Sequence, residues 1–422
     1  MAKFTKEMRE KYTVLIPSML DFHMQLFKGI FTQVGFKAEI MTNEGEDVVS
    51  EGLKYVHNDI CYPALLVIGQ CIDNLKKREK TDDIAILISQ TGGGCRASNY
   101  KFLLKKALKA AGYDYVPILT FNFSELHKVP EIGIKYSDLF KVLQAVFYGD
   151  MLMYLNNKTR SYEIVPGSSK ELTLKWIDIL MKQFSQNRGI SFKDFNKNTA
   201  AIAKDFDELP VNITQKPKVG VVGEIYIKYA ALGNNHLEEL LVDLGAEICV
   251  PGLMGFIYYC LYNFTFDYKL YKKGWLMAIV SKILIKYSNK REKNIIDAIK
   301  NTKYEPMKNF SHTLELCEGI LDHGTKMGEG WLLTSEMVEL VQTDYENIIC
   351  AQPFGCLPNH ICGKGVMKKI KQMYPFANIV AIDYDPSATK VNQENRIKLM
   401  LSIARENLSN YILHAWFSGY YC

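Results

Sequence analysis

The chain has 422 residues, 48% of them hydrophobic and 23% charged. At roughly 100–200 residues per domain this predicts about two to four domains with ample buried core, and it excludes an intrinsically disordered chain. The 51 basic and 46 acidic residues leave a net charge of +5 spread along the whole length, a balance that does not point to nucleic acid.

In chain order, residues 13–16 read as an apolar strand ended by Pro17, 21–34 as a helix stopped at Gly35, and 37–41 as a second strand. A continuous apolar run at 84–88, of the kind buried on both sheet faces, precedes a helix over 99–111 and a strand over 115–121. Residues 136–209 lack strand signals and show helical spacing at Leu172, Leu174, Trp176, Ile177, Ile179 and Leu180. The strand pattern returns with Val219, Val221 and Val222, followed by Gly223-Glu224, a helix over 235–244 and a strand over 247–250. Strands at 347–350 and 378–382 flank a helix over 366–373, and Asp385-Pro386-Ser387 has the composition of a final helix start. Repeated strand, helix, strand units predict an α/β fold of two or more Rossmann-like parallel-sheet domains. The expected division is an N-terminal α/β domain over 1–135, a helical connector over 136–216, and a C-terminal α/β domain over 217–422 with a helical insert at about 253–320.

The longest apolar stretches, 252–266 and 275–285, are shorter than the roughly 20 residues a bilayer requires, and the second carries Lys282. No membrane span is expected. Residues 1–12 have neither an apolar core nor a small-residue cleavage site, so a cytoplasmic location is expected.

In that compartment the ten cysteines are cores, ligands or nucleophiles rather than a disulfide framework. Cys71, Cys249, Cys260 and Cys317 have apolar or helical neighbours and read as small buried hydrophobes. Cys61, Cys95, Cys350, Cys356 and Cys362 lie instead beside Gly, Pro, Asn and Arg, where strands are expected to end. Cys95 follows Gly92-Gly93-Gly94 and precedes Arg96 and a helix, the place where open α/β sheets put ligand sites. A helix start and Arg96 would favour a thiolate there. The loop lacks the Gly-Lys-Ser/Thr ending of a phosphate-binding loop. Cys61 also stands at a helix start, and Cys356 lies in a loop held by Pro353 and Pro358.

Three thiolates from separate loops, without a carboxylate-rich shell, suit zinc or an iron–sulfur cluster. Neither the paired spacing of structural zinc nor a ferredoxin run is present. His360 is four residues from Cys356, which is no recognised nucleophilic arrangement. Asp383 and Asp385 read as a carboxylate pair or, more simply, as a hydrogen-bonded loop and a helix cap. Glu329, in Gly328-Glu329-Gly330-Trp331, reads as a residue pointing into a site or as part of a turn before a helix over 335–341.

The stretches Thr13-Val14-Leu15-Ile16-Pro17, Asn58-Asp59-Ile60-Cys61-Tyr62-Pro63-Ala64, Gln90-Thr91-Gly92-Gly93-Gly94-Cys95-Arg96-Ala97-Ser98-Asn99-Tyr100, Val222-Gly223-Glu224-Ile225-Tyr226, Gly328-Glu329-Gly330-Trp331, the loop 352–365 and Ile382-Asp383-Tyr384-Asp385-Pro386 through Asn392 to Met400 together resemble the 2-hydroxyacyl-CoA dehydratase and double-cubane cluster protein superfamily. The likeness is greatest to its branch related to acyl-CoA dehydratase activases. It implies α/β domains holding an oxygen-sensitive iron–sulfur cluster, and a separate ATP-hydrolysing activase with its own [4Fe–4S] cluster as electron donor. Cys61, Cys95 and Cys356 match the family's cysteine loops. A double cubane, [8Fe–9S], would want six thiolates, for which Cys350 is the next choice and Cys362 and Cys71 are only nearby. With fewer ligands, a single [4Fe–4S] cluster is implied. The resemblance further implies a homodimer and a small-molecule substrate. Three functions follow from it: a reductase component driven by the activase, a 2-hydroxyacyl-CoA dehydratase subunit, or a non-catalytic carrier of clusters or electrons.

Overall fold

The structure, a computed structural model, describes residues 3–57, 59–90, 94–121 and 134–418, with 121, 136 and 410–418 described by backbone alone. The first sheet comprises β1 (Thr13–Ile16), β2 (Lys37–Ile40), β3 (Ile84–Ser89) and β4 (Ile118–Phe121) in the order β2-β1-β3-β4. The second comprises β5 (Lys218–Gly223), β6 (Glu247–Cys249), β7 (Asn347–Pro353) and β8 (Asn378–Tyr384) in the order β6-β5-β7-β8. Every pairing in both sheets is parallel. The fold is therefore α/β with two parallel-sheet domains. Counted from its own first strand, each sheet has the same order, 2-1-3-4. The chain thus changes direction between the first and third strands of each, the position at which doubly wound sheets open a crevice.

Contacts divide the chain into two units. One contains Met1–Leu152, Thr173–Thr199 and Tyr229–Gly233, and the other Met153–Leu172, Ala200–Lys228 and Asn234–Cys422. The helices Tyr136–Arg160, Ser168–Ser185 and Phe192–Asp207 fill the connector region, and each contributes residues to both units. The insert consists of the helices Leu253–Tyr271, Trp275–Ile299 and Phe310–Glu315.

In the first unit the apolar strands are buried because helices cover the sheet: Ile84, Ala85, Ile86, Leu87 and Ile88 are all in the core. The helix Tyr62–Lys76 is buried along almost its whole length. It crosses the helix Glu46–Tyr55 through two glycines, since a Cβ on Gly69 would lie 2.0 Å from the Val48 carbonyl oxygen and one on Gly52 would lie 2.5 Å from that of Leu65. That close crossing fixes where the helix begins, and so where Cys61 stands.

In the second unit an apolar cluster that includes Val222, Leu333, Met337, Ile348 and Ile379 lies against the sheet. Several element boundaries differ from expectation, among them those of two helices and of β7, which runs on to Pro353. The helix before β7 begins at Gly330 rather than near Ser335. The final helix begins at Lys390, because Asp385 Oδ1 accepts from the Ser387 N–H at 2.7 Å and closes a local turn instead of capping the helix.

The insert is anchored by a half-buried carboxyl. Glu292 accepts from the Phe310 N–H at 3.0 Å and from the Asn309 side chain, and burial pushes it from an ordinary 4.5 up to about 8. Its folded value lies above its unfolded one, so the stability it supports is complete below about pH 4.5 and is lost as pH rises through 8. Replacing Glu292 with Gln is expected to flatten the fall in urea midpoint between pH 5 and 8 without lowering the midpoint at pH 5, as read by circular dichroism.

Candidate functional site

Cys61, Cys95 and Cys356 each occupy the residue immediately before a helix, with extended backbone angles (φ/ψ of −62°/140°, −77°/148° and −72°/104°). All three are half-buried. Local sequence explains each start. Pro63 and Pro358 stand in the first turns of the helices Tyr62–Lys76 and Leu357–Cys362, where a fixed φ and a missing N–H cost nothing. The Cys95 carbonyl accepts from the Ser98 N–H at 3.1 Å and from Ser98 Oγ at 2.7 Å, closing the turn Arg96–Asn99 that continues into the helix Tyr100–Ala110. Pro358, expected to stiffen a loop, instead starts a helix.

The two units repeat this placement. Cys95 follows β3 and Cys356 follows β7, the third strand of each sheet. Cys61 caps the last helix before β3, and the corresponding place in the second unit, before the helix Gly330–Gln342, is held by Glu329. Asn58 and Thr91-Gly92-Gly93 lie outside the described residues.

In the first unit Cys61 Sγ is 3.3 Å from Tyr100 Oη, and Arg96 donates from Nη1 to the Asp59 carbonyl. The loops of Cys61 and Cys95 are thus tied together. Arg96, expected to favour a thiolate at Cys95, is engaged by that carbonyl.

In the second unit the geometry begins at Gly223. Its φ of +145° and its contact with β7, where a Cβ would lie 1.8 Å from the Ala351 oxygen, admit only glycine. Glu224 follows directly, its N–H donating to Ala351 O at 3.1 Å. Glu329 accepts from the Ile225 N–H at 3.0 Å through one carboxylate oxygen and from Asn359 Nδ2 at 2.9 Å through the other. Asn359 Nδ2 lies 3.5 Å from Cys356 Sγ. Beneath them Lys228 Nζ is 3.2 Å from both oxygens of Glu336, and both side chains are buried. Burial raises Glu329 and Glu336 above the ordinary carboxylate range, and burial together with the Glu329 charge raises Glu224. The Cys356 thiol is pushed up to about 12 by burial, with Glu329 and Glu224 adding to the effect. A helix start alone therefore does not make it a thiolate. Two buried polar atoms beside this loop, Asn359 Oδ1 and Gln352 Oε1, have no hydrogen-bond partner among the described residues.

The other candidates are placed differently. Cys350 is inside β7, which runs on to Pro353, so it is not at a strand end. Cys350 and Cys362 both lie in the apolar cluster, and burial pushes their thiols to about 12 and about 11. Cys71 and Cys317 are buried as expected. His360 Nδ1 lies 3.0 Å from the Cys356 carbonyl oxygen, so it contacts the backbone of that residue. Asp383 accepts from Gln352 Nε2 at 2.7 Å and pairs with Lys364 at 3.3 Å. Among the described residues, no three His, Cys, Asp or Glu side chains are gathered closely enough to hold a metal ion. Lys228, Glu336 and Asn359 were not legible as site residues; the one signal was Glu336 amid the apolar sequence of its helix.

The fold and these sites define a two-unit parallel α/β protein with a cysteine at the third-strand exit of each unit. The chain matches no family model and no curated protein.

The Lys228 and Glu336 pair yields a direct test. Removing one partner leaves a buried charge, so Lys228→Met is expected to cost about 3–5 kcal/mol in urea unfolding at pH 7, whereas Lys228→Met combined with Glu336→Leu recovers most of the loss. Equal destabilisation by the single and double variants would show that the pair is not coupled.

Proposed function

We propose that the chain is an iron–sulfur protein whose cluster thiolates are Cys61, Cys95 and Cys356. In this reading it is a cytoplasmic reductase component that receives low-potential electrons from a separate ATP-hydrolysing [4Fe–4S] activase and passes them to a small molecule. The observation that carries the reading is the shared placement of the three cysteines: each is half-buried and stands at a helix start beside the carboxyl ends of parallel strands. Soft thiolate donors suit iron–sulfur clusters, which supply one-electron chemistry at potentials down to about −700 mV.

The donor set fits such a group in kind. The Cys356 thiol is protonated at neutral pH in the absence of metal, so loading must release its proton. Asn359 and Glu329 hold the Cys356 loop, and Asn359 Oδ1 and Gln352 Oε1 beside it have no hydrogen-bond partner among the described residues. Cys350 and Cys362 would each have to leave an apolar cluster to serve as ligands. The reading therefore takes three thiolates, which suits a [4Fe–4S] cluster better than a double cubane. Phe354, Leu357 and Ile361 are exposed around Cys356 and offer an apolar landing surface for the electron donor.

Anaerobic purification of Cys61→Ala, Cys95→Ala and Cys356→Ala tests the assignment. Each variant is expected to lose most of its iron and acid-labile sulfide while keeping its far-ultraviolet circular dichroism. Cys71→Ala and Cys260→Ala are expected to retain both. Full iron content in all three of the first set would overturn the proposal.

A further inference from the structure

The helices Leu253–Tyr271 and Trp275–Ile299 pack side by side as a hairpin joined at Gly274. The second helix buries Ala278, Ser281, Ile285 and Ser288, at spacings of three and four along one stripe. Its opposite stripe, at the same spacings, consists of Leu276, Ile279, Ile283, Lys286 and Lys290, all of them exposed. The outer face thus begins apolar and ends basic. Eleven large apolar side chains between residues 264 and 284 are more than one-third exposed, with Trp275 and Tyr271 beside the turn at 61% and 60%. A helix apolar all round is normally buried.

The charge on this face has one sign. Six lysines and no acidic residue lie between Asp267 and Glu292. The two bounding acids are themselves engaged, Asp267 by Lys326 and Glu292 by the Phe310 N–H. Lys272 and Lys273 stand at the turn, whereas Lys286 and Lys290 lie beyond the apolar stretch, roughly 20 Å along the helix. Lys282 is beside it, where with Tyr268, Trp275, Ala278 and Ile279 it lines an open cleft.

We propose that this outer hairpin face docks, lying flat, on an anionic phospholipid surface. Charge complementarity selects that occupant. The centres of protein interfaces are depleted in lysine, and a second copy of this face would set like charges against each other. A helix lying in a bilayer interface asks for the arrangement seen here: apolar side chains toward the acyl boundary, Tyr and Trp at headgroup level, and lysines reaching lipid phosphates. In the flat orientation the lysines at both ends of the apolar stripe stay among the headgroups, and the stem of Lys282 lets its ammonium do the same. No helix among the described residues is long and apolar enough to cross a membrane, and the proposal requires none to.

Flotation of the full chain with vesicles of phosphatidylcholine, alone or mixed with phosphatidylserine, at low and high salt is the test. The expected result is flotation with the phosphatidylserine vesicles at low salt, with an affinity that falls at least about 10-fold at high salt as the lysines are screened. Lys272→Glu combined with Lys273→Glu should weaken binding to those vesicles at least about 10-fold, and Ile279→Glu combined with Ile283→Glu should abolish it. All four positions are exposed, so an unchanged melting temperature and circular dichroism would show that the variants are folded. If one variant fails to fold, the other decides. Sedimentation velocity without lipid runs alongside. No flotation at low salt, equal flotation with both kinds of vesicle, a folded variant that floats like the wild type, or a lipid-free dimer that the isoleucine variant dissociates would each overturn the proposal. None of these outcomes depends on iron, so the test stands apart from the cluster assignment.

Discussion

Parallel pairing is the constraint on which the rest of this structure depends. A strand that runs parallel to its neighbour cannot turn back through a short loop, so each must be followed by a crossover that includes a helix. The carboxyl ends of the strands and the starts of the following helices then gather along one edge of each sheet. With the order 2-1-3-4 in both units, the first and third strands send their connections in opposite directions. Side chains at the third-strand exits and at the starts of the preceding helices are thereby placed, within each unit, at the sheet edge where doubly wound folds bind ligands. Cys95, Cys356, Cys61 and Glu329 occupy those four positions.

The two units use this shared topology unequally. In the first, cysteine stands both after the third strand and before the preceding helix, and the two loops are joined by Arg96 and Asp59. In the second, the helix position carries Glu329, which is bonded through Asn359 toward Cys356. Gly223 allows the adjoining strand end to press against Ala351 and brings Glu224 to the same edge. The low-dielectric interior around these carboxyls raises their proton affinity, and Lys228 compensates one of them directly. The second unit thus places one cysteine beside carboxyls whose proton affinity burial raises, while the first places two cysteines together.

Much of this was legible in the chain. Continuous apolar runs such as 84–88 identified strands covered on both faces, and glycine or proline after them located the exits. The helix starts at Cys61 and Cys95 followed from composition alone. Other features required the fold. Cys350 has Gly and Pro nearby in sequence, yet strand pairing carries β7 three residues beyond it and buries it. Lys228 and Glu336 are far apart in sequence and look like ordinary helix residues until the helices pack. The run 275–285 has the composition of a buried helix, but composition does not reveal what covers a face, and much of it is exposed within this chain.

The central claim is that the helix-start cysteines serve an iron–sulfur cluster. Mössbauer spectroscopy of anaerobically purified protein from cells grown on ⁵⁷Fe tests it most directly, because it reports the environment of each iron without requiring a substrate or a partner. The account predicts quadrupole doublets of iron in tetrahedral sulfur coordination, present in stoichiometric amount with acid-labile sulfide. Protein that carries no iron, or only high-spin iron bound by oxygen and nitrogen, would contradict it.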